Sequence, residues 1–350
     1  MKTARAYPNI ALIKYWGKAD EELMLPQTGS LSLTLDNHPT TTTVRVRPGA
    51  SADRLFLNGS LAGTRATGRI SRVLDVVRSL CAAKMKAECE KETPQLPFLD
   101  VVSVNDGPTG AGLASSASGF AALVVAAVAE YGVELDTREL SRLARRGSGS
   151  ATRSVCSGVA VWHEGDDCTS VAESVDAPEM AMVTVVLDNT HKDVTSREGM
   201  RRTQETSPFH EAWVASTRQM LPHMLEACAK GDFERIGELT ELSALRMHSV
   251  IMSAQPPILY LSPESWAVWE YAYQARTRGI PVYATSDAGA NVVLLTKPEF
   301  AEKVAREASR FGSTQIAGPG RGAHLCDTHL DMDGIIAEAV KNSGELPDGV

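Results

Sequence analysis

The stretch that decides the fold is GPTGAGLASSASGFAAL, residues 107–123. An apolar run, FLDVVSV (98–104), reads as a strand before it, and GFAALVVAAVAEYG (119–132) reads as a helix that stops at Gly132. A strand, a glycine-rich turn and a helix N-terminus together make an anion site, because free backbone N–H groups and the positive end of the helix dipole converge there. Phosphate is the natural guest. The common phosphate motifs are nevertheless absent: Gly107 to Gly112 has P-loop spacing, but Leu113 stands where lysine is required, and Gly110-x-Gly112 lacks the third glycine of a dinucleotide fingerprint. No serine here sits in a G-x-S-x-G elbow either. The same residues would equally suit a turn that only caps the helix with Ser115 or Ser116.

The rest of the chain narrows the choice. At 350 residues and 43% hydrophobic content it can bury a sizeable core and suits a two-lobed body. A net charge of -8 argues against a general nucleic-acid or anionic-membrane binder, while an anionic small molecule is allowed where local Arg and Lys overrule the global sign. The opening MKTARAYPNIALIKYW is interrupted by charge and proline, and Phe120–Ala129, the longest apolar run, is too short to span a bilayer. A cytoplasmic protein is expected. The six cysteines form no CxxC pair, which points to reduced thiols rather than a disulfide framework or structural zinc.

LSLTL (31–35) and TTTTVRVRP (40–48) read as strands, 68–90 and 137–146 as helices, and VAVW (159–162) as a strand. Beyond a boundary near residue 180, AMVTVVLD (181–188) is strand-like, 209–253 predicts helical hairpins punctuated by Pro222 and Gly231, and 263–278 a further helix. Residues 279–296 read as two strands around a turn, followed by a helix (298–310) and a strand near 313–317. The expected division is an N-terminal lobe over 1–180, a C-terminal lobe over 181–330 and a polar tail over 331–350.

Several loops are polar where a core segment would be apolar. NIALIKYWGK (9–18) sets Lys14, Tyr15 and Lys18 beside a small apolar run, and RRGSGSATRS (145–154) offers Ser148, Ser150 and Arg153. TSREGM (195–200) adds Ser196 and Arg197, and SDAGAN (286–291) places Asp287 in a tight turn. Each alone suits a cap, a turn or a solvated face. Together they supply one acid, several cations and many hydroxyls.

These segments carry a resemblance. The glycine loop is similar to the ATP-phosphate loop of the GHMP kinase superfamily. NIALIKYWGK, RRGSGSATRS, SREGM, ELSALRMHSV (241–250) and SDAGAN, in this order, resemble its diphosphomevalonate decarboxylase branch across about residues 7 to 296. The implied fold is α+β, with an N-terminal lobe holding a left-handed βαβ unit and a ferredoxin-like C-terminal lobe. The implied reaction is ATP-dependent decarboxylation of mevalonate 5-diphosphate to isopentenyl diphosphate through a 3-phosphorylated intermediate. By the same resemblance Asp287, Arg153 and Lys18 form the catalytic set, and Tyr15, Ser148, Ser150, Ser196 and Arg197 join Lys18 and Arg153 in contacting the substrate. Ser103 and Asn105 border the adenosine of ATP, and Gly110, Gly112, Ser115 and Ser116 hold its triphosphate. Mg²⁺ is implied by the triphosphate, with no carboxylate cluster announcing its ligands, and a homodimer is expected.

The sequence departs from the family pattern at Gly29, at Cys156 with Ser157, at Ser286 and at Ala290, the last standing where DAGPN has proline. These changes bear on pocket shape. A decarboxylase of the 5-monophosphate would share the catalytic residues, and a mevalonate 3-kinase would lack them.

Overall fold

The strand expected before the glycine loop and the helix expected after it are both formed, and the chain around them builds two lobes. The computed structural model describes residues 1–89, 93–107, 115–187 and 193–343. In chain order the first half contains β1 (Lys2–Ala6), β2 (Asn9–Ile13), β3 (Lys18–Asp20), β4 (Leu25–Pro26), β5 (Ser30–Thr34), β6 (Thr40–Arg47), β7 (Arg54–Leu57) and β8 (Ser60–Leu61). It continues with α1 (Thr64–Cys89), β9 (Phe98–Asn105), α2 (Ser115–Glu130), α3 (Thr137–Gly147), the single turn α4 (Ala151–Ser154), β10 (Val159–Trp162) and β11 (Ala172–Ser174). The second half contains β12 (Ala181–Val186), α5 (Ser196–Thr206), α6 (His210–Lys230), α7 (Phe233–Met252), α8 (Pro263–Thr277), β13 (Val282–Thr285) and β14 (Val292–Thr296). It closes with α9 (Ala301–Ala308), β15 (Ser313–Ala317), β16 (His324–Cys326) and α10 (Met332–Ser343).

A six-stranded sheet, β16-β1-β6-β9-β7-β8, organises the first lobe. Its β7 and β9 run parallel and are joined through α1, the crossover that a parallel pair requires. Alternation along the strands divides the two faces. Val44, Leu55 and Val101 pack under α1 and α2 with Val73, Leu74, Val77 and Leu123, whereas Phe56 and Val102 point to the opposite face. α2 is apolar nearly all round because the sheet and its neighbouring helices enclose it.

Residues 332–343 correct the expectation of a polar tail. Met332, Ile335, Ile336, Ala339 and Val340 recur at helical spacing, and as α10 they cover Phe56 and Val102. Without that helix the outer sheet face would be bare apolar surface.

The second lobe carries a four-stranded antiparallel sheet ordered β15-β12-β14-β13. Numbered along the chain this is the 4-1-3-2 order of a ferredoxin-like unit. Between the lobes lies a second four-stranded sheet, β11-β10-β5-β2. Its Ile10, Leu12, Leu31 and Leu33 share one apolar cluster with Met182, Ile236, Leu239 and Leu295 of the second lobe. β2 is buried on both faces, so the residues just after it enter the space between the lobes. Among the described residues no helix is long and apolar enough to cross a membrane.

Candidate active site

The chain leaves β2 at Lys14, whose backbone N–H donates to Ser243 Oγ of α7 at 3.0 Å. That anchor commits the side chain to the interlobe space, where it is 1% exposed, and its Nζ lies 2.6 Å from Asp287 Oδ1. Burial draws the Lys14 ammonium's pKa below the ordinary lysine value, opposed by the Asp287 carboxylate and reinforced by the Arg153 charge. The turn that carries Asp287 is held from behind. His248 of α7 meets the Ser286 carbonyl at 3.3 Å through Nε2, and the Trp269 indole N–H donates to Ser286 Oγ, also at 3.3 Å. Burial and the Lys14 charge push His248 down to about 4, so near neutral pH it is uncharged.

Arg153 comes from α4, just after the glycine-serine turn. Its Nε donates to Ser32 Oγ at 2.8 Å, Nη1 to Ser30 Oγ at 2.5 Å and Nη2 to Asn9 Oδ1 at 3.2 Å, while its guanidinium lies 5.9 Å from the Trp162 ring centre. None of these partners is ionised. Burial lowers Arg153 to about 10, with Asp287 and Tyr15 resisting, and it remains a cation at neutral pH. A buried guanidinium held by neutral groups keeps its charge available to an anionic guest. This excludes the reading of Arg153 as a surface residue beside a helix cap.

Hydroxyls line the same turn. Ser148 Oγ lies 3.1 Å from Ser150 Oγ and 3.4 Å from Ser116 Oγ near the start of α2. Tyr15 covers them: a Cβ on Gly149 would meet its ring and hydroxyl oxygen at 2.8 Å, so glycine is required for this approach. The Tyr15 hydroxyl is buried with no hydrogen-bond partner among the described residues, and an unmet polar group in such a place suits a ligand.

A second set of cations gathers at the mouth. Lys18 is lowered by burial and then by the neighbouring charge of Arg197, with Glu21 opposing and Arg69 adding to the depression. Arg69 of α1 is in turn lowered by burial and by Arg197, Arg72 and Arg65. Arg197 and Ser196 open α5, where Thr195 Oγ accepts from the Glu198 N–H at 3.3 Å, so the positive end of this helix adds to the field. Beside this set, Ser103, Asn105, Ser116, Phe120, Leu57 and Arg69 line a cavity of about 220 Å³. Apolar walls with a few polar groups and a cation at one end suit a nucleoside whose phosphates reach the α2 N-terminus.

Sequence reading placed Lys18 in the catalytic set, but the lysine paired with Asp287 is Lys14. Gly17, at φ +133°, turns the chain after Lys14, so Lys18, four residues on, is buried beside Arg197 instead of facing Asp287. Arg69 was also missed, because on a helix with several arginines nothing local distinguishes it. Gly110 and Gly112 lie outside the described residues, as does the Ser115 side chain. Several departures from the family pattern are held by neighbouring elements. A Cβ on Gly29 would meet Leu221 of α6 at 2.5 Å. Cys156 is buried with Ala160, Trp162 and Ala172, Ser286 is buried under Trp269, and the Ala290 carbonyl accepts from Ser265 at 2.5 Å.

A crossover lobe, a ferredoxin-like lobe and an anion-binding cleft between them define the GHMP kinase fold. The first lobe matches the family model for the diphosphomevalonate decarboxylase-like N-terminal domain over residues 6–175, and the second matches the mevalonate 5-diphosphate decarboxylase C-terminal domain over 181–320. The chain belongs to the diphosphomevalonate decarboxylase family. It is 37% identical to the human diphosphomevalonate decarboxylase over 312 residues, covering 84% of this chain and 76% of that protein. With the Ganoderma lucidum enzyme it shares 35% over 326 residues, 86% of this chain and 80% of that one. The structure of the Enterococcus faecalis mevalonate diphosphate decarboxylase, from work on mevalonate diphosphate-mediated ATP binding, superposes with a TM-score of 0.83 at 41% identity, covering 93% of this chain and 99% of that one. A structure of MDDEF in complex with MVAPP, AMPPCP and magnesium gives 0.84 at 43% identity over the same shares.

Proposed function

We propose that the chain converts ATP and mevalonate 5-diphosphate to isopentenyl diphosphate, CO2, ADP and phosphate. The observation that carries this reading is the pairing of buried Lys14 with the partly exposed Asp287 carboxylate beside Arg153, facing a mouth lined by Lys18, Arg69 and Arg197. In the first step the substrate 3-hydroxyl attacks the γ-phosphorus of ATP, the bond to the β-phosphate oxygen breaks, and the hydroxyl proton passes to the Asp287 carboxylate. Lys14 and Arg153 keep that carboxylate ionised and oppose charge on the transferring group. In the second step the C3–O bond breaks with loss of phosphate. The electrons of the bond to the carboxylate carbon form the new double bond, and CO2 leaves. Arg153 holds the carboxylate until then.

Tyr15, Ser148 and Ser150 fit the body of the substrate, and Lys18, Ser196 and Arg197 its diphosphate. ATP occupies the cavity bordered by Ser103 and Asn105, with Ser116 at its phosphates. Among the described residues no group of three or more His, Cys, Asp or Glu side chains forms a metal cage. Among the described residues the oxygen donors at the start of α2 are hydroxyls, chiefly Ser116 and Ser148, which would suit Mg²⁺ held mainly by phosphate oxygens and water. When bound, Mg²⁺ neutralises the triphosphate.

The test is substrate preference. The wild type should use the 5-diphosphate with a higher kcat/KM than the 5-monophosphate, and Arg197→Ala should narrow that gap about tenfold, the weight of one charge-assisted contact. Equal or better use of the monophosphate by the wild type would defeat the assignment.

A further inference from the structure

The short ribbon that presents Lys18 has an open edge. In β3 and β4, Lys18 stands opposite Pro26, and the flanking bond runs from the Gln27 N–H to the Gly17 carbonyl at 3.2 Å. In that register the Lys18 N–H and carbonyl face away from β4, and among the described residues no third strand follows. The Gln204 side chain of α5 fills the place of one. Its Nε2 donates to the Lys18 carbonyl at 3.1 Å, and its Oε1 accepts from the Lys18 N–H at 3.4 Å. The carboxamide thus pairs with the Lys18 backbone as a neighbouring strand would.

The same helix begins with Ser196 and Arg197, so one rigid element carries a cation of the mouth at its start and fixes the backbone of another cation two turns later. Other contacts steady the ribbon elsewhere. His210 Nε2 meets Gln27 Oε1 at 2.6 Å, Arg218 donates to the Gln27 carbonyl at 3.1 Å, and Arg145 Nε donates to the Leu23 carbonyl at 3.1 Å. Gln204 bonds the Lys18 backbone itself.

We infer that Gln204 is a positioning residue that sets Lys18 against Arg197 for the terminal phosphate of the substrate, and so contributes to the preference for a diphosphate. The inference rests on the function proposed above. It assigns Gln204 no contact with the reacting atoms, which lie at Asp287.

Gln204 is exposed, so Gln204→Met removes both polar atoms while leaving the core intact. Steady-state kinetics at saturating Mg-ATP with each mevalonate derivative should show KM for the 5-diphosphate raised about 5–10-fold, the weight of a lost hydrogen-bonded pair at a partly solvated site. The kcat should stay within about twofold, because the catalytic set is untouched. KM for the 5-monophosphate should move far less, and the melting midpoint should hold. Gln204→Ala is the second variant, with the same expectation, should the methionine perturb the helix. An unmoved KM, an equal rise for both substrates, or a fall in kcat at constant KM would each overturn the inference. A wild type that fails to use the 5-diphosphate would defeat the functional reading itself, whereas a normal wild type with an unaltered variant defeats only the role of Gln204.

Discussion

Asp287→Asn is expected to lower turnover by about 10²–10⁴-fold while leaving the fold and ATP binding in place. The change alters almost no volume and keeps an oxygen that can accept from Lys14, now 2.6 Å away. What is lost is the negative charge and the ability to take the hydroxyl proton. Stopped-time turnover assays, with nucleotide binding measured separately, check this. An asparagine variant that turned over at nearly the wild-type rate would mean the carboxylate is only a turn former.

Lys14→Met should cost about 10²–10³-fold in kcat, the scale of removing a positioned charge from a site shielded from water. It also carries a pH signature. Burial holds the Lys14 pKa below the ordinary lysine value, so the cation is present on the acid side and is lost as pH rises through that lowered value. The wild-type rate should therefore fall on the alkaline side below the range of a free lysine, and the residual rate of the methionine variant should lack that limb. A retained limb would assign it to another group.

The sequence made much of the scaffold legible where one physical signal dominated. Residues 98–104 and 119–132 are read correctly because a strand-length apolar run and a longer one are separated by glycines, and Gly132 does end its helix, at φ +74°. The helix pair around Gly231 and the strand at 313–317 follow from punctuation and periodicity, whereas Pro222, expected to punctuate the hairpins, lies inside α6 without ending it. Strands β1, β2, β3, β4, β7, β8, β11 and β16 were not legible. They are short, and they exist through pairing with distant segments, such as Thr3 opposite Cys326. The helix at 332–343 reads as a polar tail in sequence because its apolar residues matter only against Phe56 and Val102.

The site divides in the same way. Residue types in polar loops pointed to Asp287, Arg153, Ser148 and Ser150, and Arg153 is buried beside the Lys14–Asp287 pair. The choice between Lys14 and Lys18 turned on the path of the backbone at Gly17, which spacing in NIALIKYWGK does not encode. Lys14 did carry one weak signal. It directly follows a five-residue apolar-rich strand that is buried throughout, and a lysine in that position is committed to the interior. Arg69 and Gln204 carried none, since each acquires its place only when α1 and α5 are brought to the ribbon that holds Lys18.

The most direct test of the central claim is to incubate the chain with Mg-ATP and mevalonate 5-diphosphate and to follow ADP and CO2 together. Both should form at the same rate, in a ratio of about one, because phosphorylation at C3 leads on to loss of the carboxylate within the same cleft. ADP formed without CO2 would make the chain a kinase that stops at the phosphorylated alcohol, and the absence of both products would leave it a binder of nucleotide; either result contradicts the mechanism built on Asp287, Lys14 and Arg153.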